Sequence, residues 1–291
     1  MIPLSEGGHG KKISMFFTGG YTESGALVSF LNKINSNVFY DQRCPNKTRR
    51  RKGSVLTPLK PDVSGLTGTS LTAYMFDHLE KYKDDLRDYA GVLIEDDLDG
   101  KFYSYINDGR KKIIITDRNQ DYEEYISGLA HRVREILNKK DDFPVICLHA
   151  SPEIECWILA DWNNSFGNIY GTKGFRVLQN NENDYFANRF RVFVNEFVLK
   201  DYRDRLELYG YFNGEYKKLS DEIIHGLDGE FKVNLSEDSK NKLAISIAYN
   251  KQLYYSKSLH GDMMLREIMP DEVKKNCNIF FKEAYDQLKL L

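Results

Sequence analysis

Acidic side chains follow two apolar segments of the sequence, at the point where each segment ends. The segments are Tyr89–Ile94, followed by Glu95, Asp96, Asp97 and Asp99, and Pro144–Leu148, followed by Glu153 and Glu155. Crowded carboxylates repel one another, so their joint ionisation needs a compensating cation. Hard oxygen ligands suit Mg²⁺, Mn²⁺ or Ca²⁺, and an ion held by them can activate water and bind a phosphodiester. The segment Glu95–Asp99 is therefore the strongest candidate for a divalent-metal site, with a solvated acidic turn as the alternative.

A further acidic residue, Glu23, follows the turn Thr18-Gly19-Gly20 and opens a predicted helix. Its position fits a metal ligand, and it equally fits a first-turn glutamate that interacts favourably with the helix dipole. The same two interpretations apply to Glu153. Glu155 lies one position away from the apolar face of its predicted helix, which favours a partly buried functional role.

The only dense basic run in the sequence is Arg49, Arg50, Arg51 and Lys52. Such a run is typical of a solvated loop, and its residues are also of the type that contacts nucleic-acid phosphates. The net charge of the chain is -2, so any nucleic-acid binding has to come from a local patch. The run is therefore the candidate nucleic-acid-binding segment.

Short apolar segments alternate with amphipathic ones through the first half of the chain. The segments Ile13–Phe17, Tyr89–Ile94 and Pro144–Leu148 predict buried strands, and Ile113–Ile115 is a further candidate. This alternation predicts an α/β domain over residues 11–165, with a mainly parallel sheet covered by helices. Ligand sites in such sheets lie at the C-terminal ends of the strands, where the acidic residues stand.

Helical periodicity is clearest over Tyr122–Leu137 and is also present over Ser70–Leu86. The sequence Ser151-Pro152-Glu153 has the form of a helix start, with Ser at the N-cap and Pro at the first helical position. Residues 166–291 are rich in Tyr, Phe and Asn. They contain helical stretches such as Tyr185–Phe197 and Asp271–Leu290, which predicts a mostly helical C-terminal region packed on the sheet.

No segment approaches the roughly 18 apolar residues of a membrane span, and the N-terminus lacks the apolar core of a signal peptide. The four cysteines are scattered and form no CxxC pair, which is typical of free thiols in a reducing cytoplasm. The sequence therefore predicts a cytoplasmic protein without membrane contact. It contains no Walker A motif, so P-loop hydrolysis of ATP by this chain is not expected.

Four short motifs occur in an order that resembles a known family. They are Gly20-Tyr21-Thr22-Glu23, Glu95-Asp96-Asp97-Leu98-Asp99, Glu153-Ile154-Glu155-Cys156-Trp157-Ile158-Leu159-Ala160-Asp161 and Tyr255-Ser256-Lys257-Ser258-Leu259-His260-Gly261. Together they resemble the Toprim-like family of bacterial phage-defence proteins, which are encoded beside an ABC-type ATPase and related to overcoming-lysogenization-defect nucleases. The resemblance spans most of the chain.

The resemblance implies a Toprim-like fold with a site for Mg²⁺ or Mn²⁺ that acts on phosphodiesters. Toprim domains hold the metal with a Glu after the first strand and an Asp-x-Asp after a later strand. The second role would fall to Glu95 with Asp97, or to Asp97 with Asp99. The family usually reads Glu-Gly-x-Thr-Glu at the first turn; Gly19 replaces the leading Glu here, which leaves Glu23 as the candidate ligand.

By the same resemblance, Lys257 would act on a phosphate oxygen during catalysis, alongside Glu23, Glu95 and Asp97. Further candidates for the site are Asp96, Glu153, Glu155 and His260. The expected partners are an ABC-type ATPase subunit and a nucleic acid, DNA in preference to RNA, and a homo-oligomer is left open.

Three functions fit these expectations. The first is a metal-dependent nuclease that acts as the effector of an anti-phage defence system with an ATPase partner, and the acidic cluster Glu95–Asp99 favours it. The second is a catalytically degenerate subunit that binds nucleic acid or scaffolds the ATPase, and Gly19 favours it. The third is a hydrolase of nucleotide phosphate esters, since the same metal chemistry serves small substrates.

Overall fold

The computed structural model describes residues 10–20, 22–45, 65–99, 120–168, 206–208, 211–212, 215–216, 218–221, 223 and 257–291 of the 291-residue chain. In these residues, helices cover both faces of a four-stranded sheet. This arrangement is the α/β fold that the sequence predicts.

The sheet is parallel at every pairing. Its strands, in the spatial order β2-β1-β3-β4, are β1 (Lys11–Phe17), β2 (Val38–Cys44), β3 (Gly91–Asp97) and β4 (Val145–Ala150). Parallel strands require crossover connections, whose helices bury both faces, and β3 is accordingly buried at all but its last position. The register aligns Phe17, Glu95 and Leu148 at the same edge of the sheet.

The two faces of the sheet carry separate apolar cores. Ile13, Met15 and Phe17 of β1 pack with helix α1 (Glu23–Ile34) on one face. Phe16 packs on the opposite face, because successive strand side chains alternate between faces. The helices of that opposite face are α2 (Gly68–Tyr82) and α3 (Gln120–Leu137).

The C-terminal helices pack on the α1 face of the sheet. The remaining elements are α4 (Glu155–Ala160), α5 (Phe166–Asn168), a 3₁₀ turn (Leu206–Leu208), the hairpin β5 (Tyr211–Phe212) and β6 (Glu215–Tyr216), a π-helical turn (Lys257–Gly261), α6 (Asp262–Glu267), α7 (Pro270–Asn276) and α8 (Phe281–Leu290). Trp157 of α4 is fully buried, with its ring centroid 5.7 Å from Phe30 of α1 and 5.1 Å from Phe281 of α8. This aromatic cluster joins the two ends of the described chain to the sheet.

Several predicted elements have different bounds in the structure. Strand β2 is not among the strands predicted from the sequence. Its burial alternates along the strand, as expected of an edge strand with one exposed face. Helix α2 ends at Tyr82 rather than Leu86. The predicted helix Asp271–Leu290 is divided into α7 and α8, with a break at Cys277–Phe280. The candidates Ile113–Ile115 and Tyr185–Phe197 lie outside the described residues.

The predicted helix start at Ser151 is wrong. The Ser151 hydroxyl donates to the backbone carbonyl of Glu207 at 2.7 Å, and α4 begins only at Glu155. The backbone N–H of Ile154, just before the helix, instead donates to Asp97 Oδ1 at 3.0 Å. A carboxylate from a neighbouring strand therefore takes the place that the sequence assigned to a local serine. The division of the chain near residue 165 remains a prediction.

None of the helices in the described parts of the chain combines the length and the apolar composition needed to cross a bilayer.

Candidate metal centre

Three carboxylates meet at the C-terminal edge of the sheet. Glu95 and Asp97 belong to the last three residues of β3, and Glu23 is the first residue of α1. One carboxylate oxygen from each residue lies within 4.8 Å of the other two. Because β1 and β3 are parallel neighbours, the helix that follows β1 begins beside the end of β3. The topology thus brings together acids that are more than seventy positions apart in the sequence.

Strand alternation separates the four acids that follow Ile94. The acidic segment is the end of β3 rather than a loop, so Glu95 and Asp97 share the α1 face while Asp96 lies on the other. Asp96 Oδ2 accepts a hydrogen bond of 2.8 Å from the backbone N–H of Gly68, the first residue of α2. Asp96 therefore caps a helix on the opposite face and is not one of the three grouped carboxylates.

Asp99 is also outside this group of three. It lies beyond the end of β3 in the left-handed backbone region, with a φ of 44°, and its N–H donates to the carbonyl of Pro152 at 2.9 Å. The sequence left two candidate pairs of metal ligands, Glu95 with Asp97 or Asp97 with Asp99. The structure places the first pair beside Glu23.

Several oxygens of the cluster are buried without a hydrogen-bond partner. Glu95 is fully buried; its Oε2 accepts from the backbone N–H of Thr18 at 3.3 Å, while its Oε1 has no partner. Glu23 Oε2 and Thr22 Oγ1 are likewise buried without a hydrogen-bond partner. Nearly all buried polar atoms in proteins are hydrogen-bonded, so unpartnered carboxylate oxygens at one point need another partner. The group of Glu23, Glu95 and Asp97 could hold a metal ion.

The electrostatics of the triad favour a proton or a cation. The pKa of Glu23 is raised from 4.5 to about 7, mainly by burial and also by the charges of Glu155 and Glu153, against a backbone hydrogen bond and the charge of Lys257, which lower it. Burial also holds the pKa of Glu95 and that of Asp97 well above their ordinary values, and the neighbouring carboxylates add to both shifts. A divalent ion would replace the bound protons and remove the mutual repulsion.

A second pair of buried carboxylates lies beside the triad and is already paired with a cation. The Lys257 ammonium is 2.8 Å from Glu153 Oε2 and 3.3 Å from Glu155 Oε2, and both glutamates are at most 1% exposed. The Ser220 hydroxyl donates to the same Glu153 oxygen at 2.8 Å. Burial raises the pKa of Glu153, but the Lys257 charge and the two hydrogen bonds outweigh burial and lower it overall. Conversely, Glu155 and Glu153 raise the pKa of Lys257 although burial opposes them.

The turn after β1 shows why Gly19 is not an acid in this chain. Gly19 has a φ of +67°, and a Cβ added there would lie 2.5 Å from Cγ of Pro45. At Gly20, an added Cβ would lie 2.4 Å from Glu23 Oε2. The two glycines let the turn pass close to Pro45 and to the Glu23 carboxylate, and Glu23 supplies the acid on this side of the sheet.

The other predicted site residues have different places. His260 is half-buried in the π-helical turn that also carries Lys257. The segment Arg49–Lys52 lies outside the described residues, so its predicted contact with nucleic acid remains a prediction. A histidine of β4 that is not among the predicted site residues above, His149, is fully buried beside Asp96 in the sheet register. Its Nδ1 lies 3.0 Å from the Tyr122 hydroxyl, on the face away from the triad.

Two contributors to the site were not predicted from the sequence. Ser220 stands in a polar stretch without a periodic pattern, so no sequence signal marks it as a partner of Glu153. Thr18 contributes through its backbone N–H, for which side-chain type gives no indication. Asp96, in contrast, could have been excluded from the sequence. A predicted strand that continues to Asp97 places Asp96 on the opposite face from Glu95 and Asp97.

Comparison of the chain with protein-family models, with curated proteins and with solved structures gave no match. The geometry of the site is therefore the basis for its chemistry. It offers three oxygen ligands for one hard cation, with a lysine ammonium beside them.

Proposed function

We propose that the protein is a divalent-metal-dependent hydrolase of phosphodiesters, a nuclease whose ion is Mg²⁺ or Mn²⁺. The observation that carries the proposal is the convergence of the Glu23, Glu95 and Asp97 carboxylates within 4.8 Å at the C-terminal edge of a parallel sheet. All-oxygen donor sets suit Mg²⁺ and Mn²⁺, which also bind phosphate oxygens. A bound ion would supply Lewis-acid activation of water and charge neutralisation at the phosphate.

The residues of the chain have separate tasks in this proposal. Glu23, Glu95 and Asp97 hold the ion, and the hydrogen bonds from Thr18 and Ile154 fix the orientations of the Glu95 and Asp97 carboxylates. Such second contacts fix ligand geometry, which metal sites require. Lys257 places a positive charge beside the site, where it stabilises negative charge that develops on a phosphate oxygen.

The position of Glu23 favours a catalytic protein over a degenerate one. The degenerate alternative was favoured by the absence of an acid at Gly19. Glu23 reaches the group of carboxylates from the next element, so the triad has three acids without one at Gly19. We extend the proposal to a cytoplasmic effector of anti-phage defence that cleaves DNA in concert with an ABC-type ATPase, on the strength of the motif order in the sequence.

The proposal is tested by cleavage of supercoiled plasmid and of single-stranded DNA and RNA with Mg²⁺ or Mn²⁺, in the presence and absence of the neighbouring ATPase. The wild-type protein should nick or linearise DNA, and Asp97→Asn should reduce the rate by about 100-fold or more, as loss of a metal ligand or of its support does.

The matched control is Asp99→Asn, two residues away in the same acidic segment. Asparagine tolerates the left-handed region that Asp99 occupies, so the variant should fold, and it should retain cleavage. An equal loss in both variants would mean that the grouping of carboxylates does not define the site. Absence of cleavage under every metal and partner condition would refute the nuclease.

A further inference from the structure

Five carboxylates at the sheet edge, four of them buried and Asp97 half-buried, form two groups with different partners. Glu23, Glu95 and Asp97 have carboxylate oxygens within 4.8 Å of one another, and within the described residues none of the three forms an ion pair with a lysine or arginine. Glu153 and Glu155 are bridged by the Lys257 ammonium at 2.8 and 3.3 Å. Many phosphodiester hydrolases use two metal ions about 4 Å apart, and two acidic groups side by side would ordinarily suggest that arrangement.

The lysine already binds the two glutamates that a second ion would need. An ion bound by Glu153 Oε2 and Glu155 Oε2 would compete with the Lys257 ammonium for the same two oxygens, and the two cations would repel each other. Among the described residues, Glu153 and Glu155 are the carboxylates that form ion pairs with that ammonium. The Ser220 hydroxyl donates a hydrogen bond to Glu153 Oε2, the same oxygen that the Lys257 ammonium contacts. This hydrogen bond holds the Glu153 carboxylate in the orientation that binds the lysine.

We infer that the protein binds one divalent ion, at Glu23, Glu95 and Asp97, and that the Lys257 ammonium takes the place of a second ion at Glu153 and Glu155. The inference rests on the metal site of the proposed function and specifies its stoichiometry. In the protein without substrate, Glu153 and Glu155 bind the lysine rather than a metal ion. A substrate phosphate would then meet one ion and one ammonium instead of two ions.

The number of bound ions is measured by titration calorimetry with Mn²⁺ on the full-length protein and by electron paramagnetic resonance of the Mn²⁺-loaded protein. The wild type should bind one Mn²⁺ and give the spectrum of an isolated ion. Lys257→Met keeps the length of the side chain but removes its charge, and it should bind two Mn²⁺ ions that show spin coupling. Lys257→Arg restores a cation and should return the count to one.

Two further variants keep the test independent of folding problems in Lys257→Met. Lys274→Met removes a lysine that pairs with Asp286 at 2.5 Å, away from the site, and should still bind one ion. Glu153→Gln should also bind one ion, with affinity within about twofold of wild type, because Glu153 is not a ligand there. A tenfold loss of Mn²⁺ affinity in Glu153→Gln would overturn the inference.

The outcomes separate this inference from the proposed function. Two ions in the wild type, or one ion in a folded Lys257→Met, would overturn the inference and leave the metal-dependent hydrolase intact. No Mn²⁺ binding in the wild type would remove both. One ion in the wild type and two in Lys257→Met would support both.

Discussion

Replacing Glu23 by glutamine should stabilise the metal-free protein and abolish its response to metal. Glu23 is only 5% exposed, and its pKa rises from 4.5 to about 7 through burial and the neighbouring carboxylates. Between these two values the folded protein binds more protons than the unfolded chain, so its stability falls as the pH rises. At about 1.4 kcal/mol per pKa unit, ionised Glu23 costs the folded state roughly 3 kcal/mol above pH 7.

Glutamine has the shape of the protonated acid and does not ionise. Glu23→Gln should therefore match wild type near pH 4 and exceed it by about 3 kcal/mol near pH 8. The measurement is the free energy of unfolding from urea titrations in the presence of a chelator, at several pH values. Adding Mn²⁺ at about 100 times its Kd should then stabilise wild type by about 3 kcal/mol and leave Glu23→Gln unchanged.

The control is Glu80→Gln, on the exposed surface of α2, where the substitution should alter neither the pH dependence nor the Mn²⁺ response. Two results would refute the reasoning. One is a Glu23→Gln protein that is less stable than wild type near pH 8, which would mean that the charge of Glu23 is compensated in the metal-free state. The other is an undiminished Mn²⁺ response, which would place the ion elsewhere.

Two further predictions concern the elements that surround the site. Asp96→Ala should cost about 1 kcal/mol in the urea-derived free energy of unfolding, because it removes the carboxylate that caps α2, and should leave the Mn²⁺ response intact. Thr67→Ala is its control: the local N-cap side chain makes no capping hydrogen bond, so an equal loss there would contradict the assignment. Gly19→Ala should cost at least ~1 kcal/mol more than Gly65→Ala by the same measurement, because both have positive φ but only Gly19 faces a close neighbour, Pro45. Equal costs would mean that the Pro45 ring moves aside freely.

The sequence predicts the ends of the strands well enough to locate the site, but not which acids face it. Acidic residues are poor strand formers, so the apolar pattern ends β3 at Ile94, while the structure continues it to Asp97. Those three residues decide the outcome, because alternation directs Glu95 and Asp97 to one face and Asp96 to the other. The predicted segment therefore contains two of the three grouped carboxylates, and sequence reasoning did not separate these two from Asp96 and Asp99.

Long-range pairings were less accessible to sequence reasoning. Lys257 contacts Glu153, which is 104 positions away in the sequence, and no local sequence pattern at either residue indicates this contact. Lys257 was expected at the site only because its motif resembles one in a known family. The start of α4 was misplaced for the same reason: Asp97, a residue of another strand, accepts the hydrogen bond that a local serine was expected to accept. Local patterns report on propensity, whereas these contacts are set by topology.

The ion pair between Lys257 and the two glutamates has a consequence during synthesis of the chain. The four strands of the parallel sheet and the five carboxylates are all made by residue 155, about a hundred residues before the lysine that pairs with two of them. Domains fold as the chain emerges from the ribosome at about 5–20 residues per second, so the sheet spends several seconds with its acids uncompensated. A nascent chain in that interval carries a repulsive cluster that opposes closure of the sheet edge. Arrival of the lysine reduces this repulsion, which links completion of the fold to the late segment of the chain.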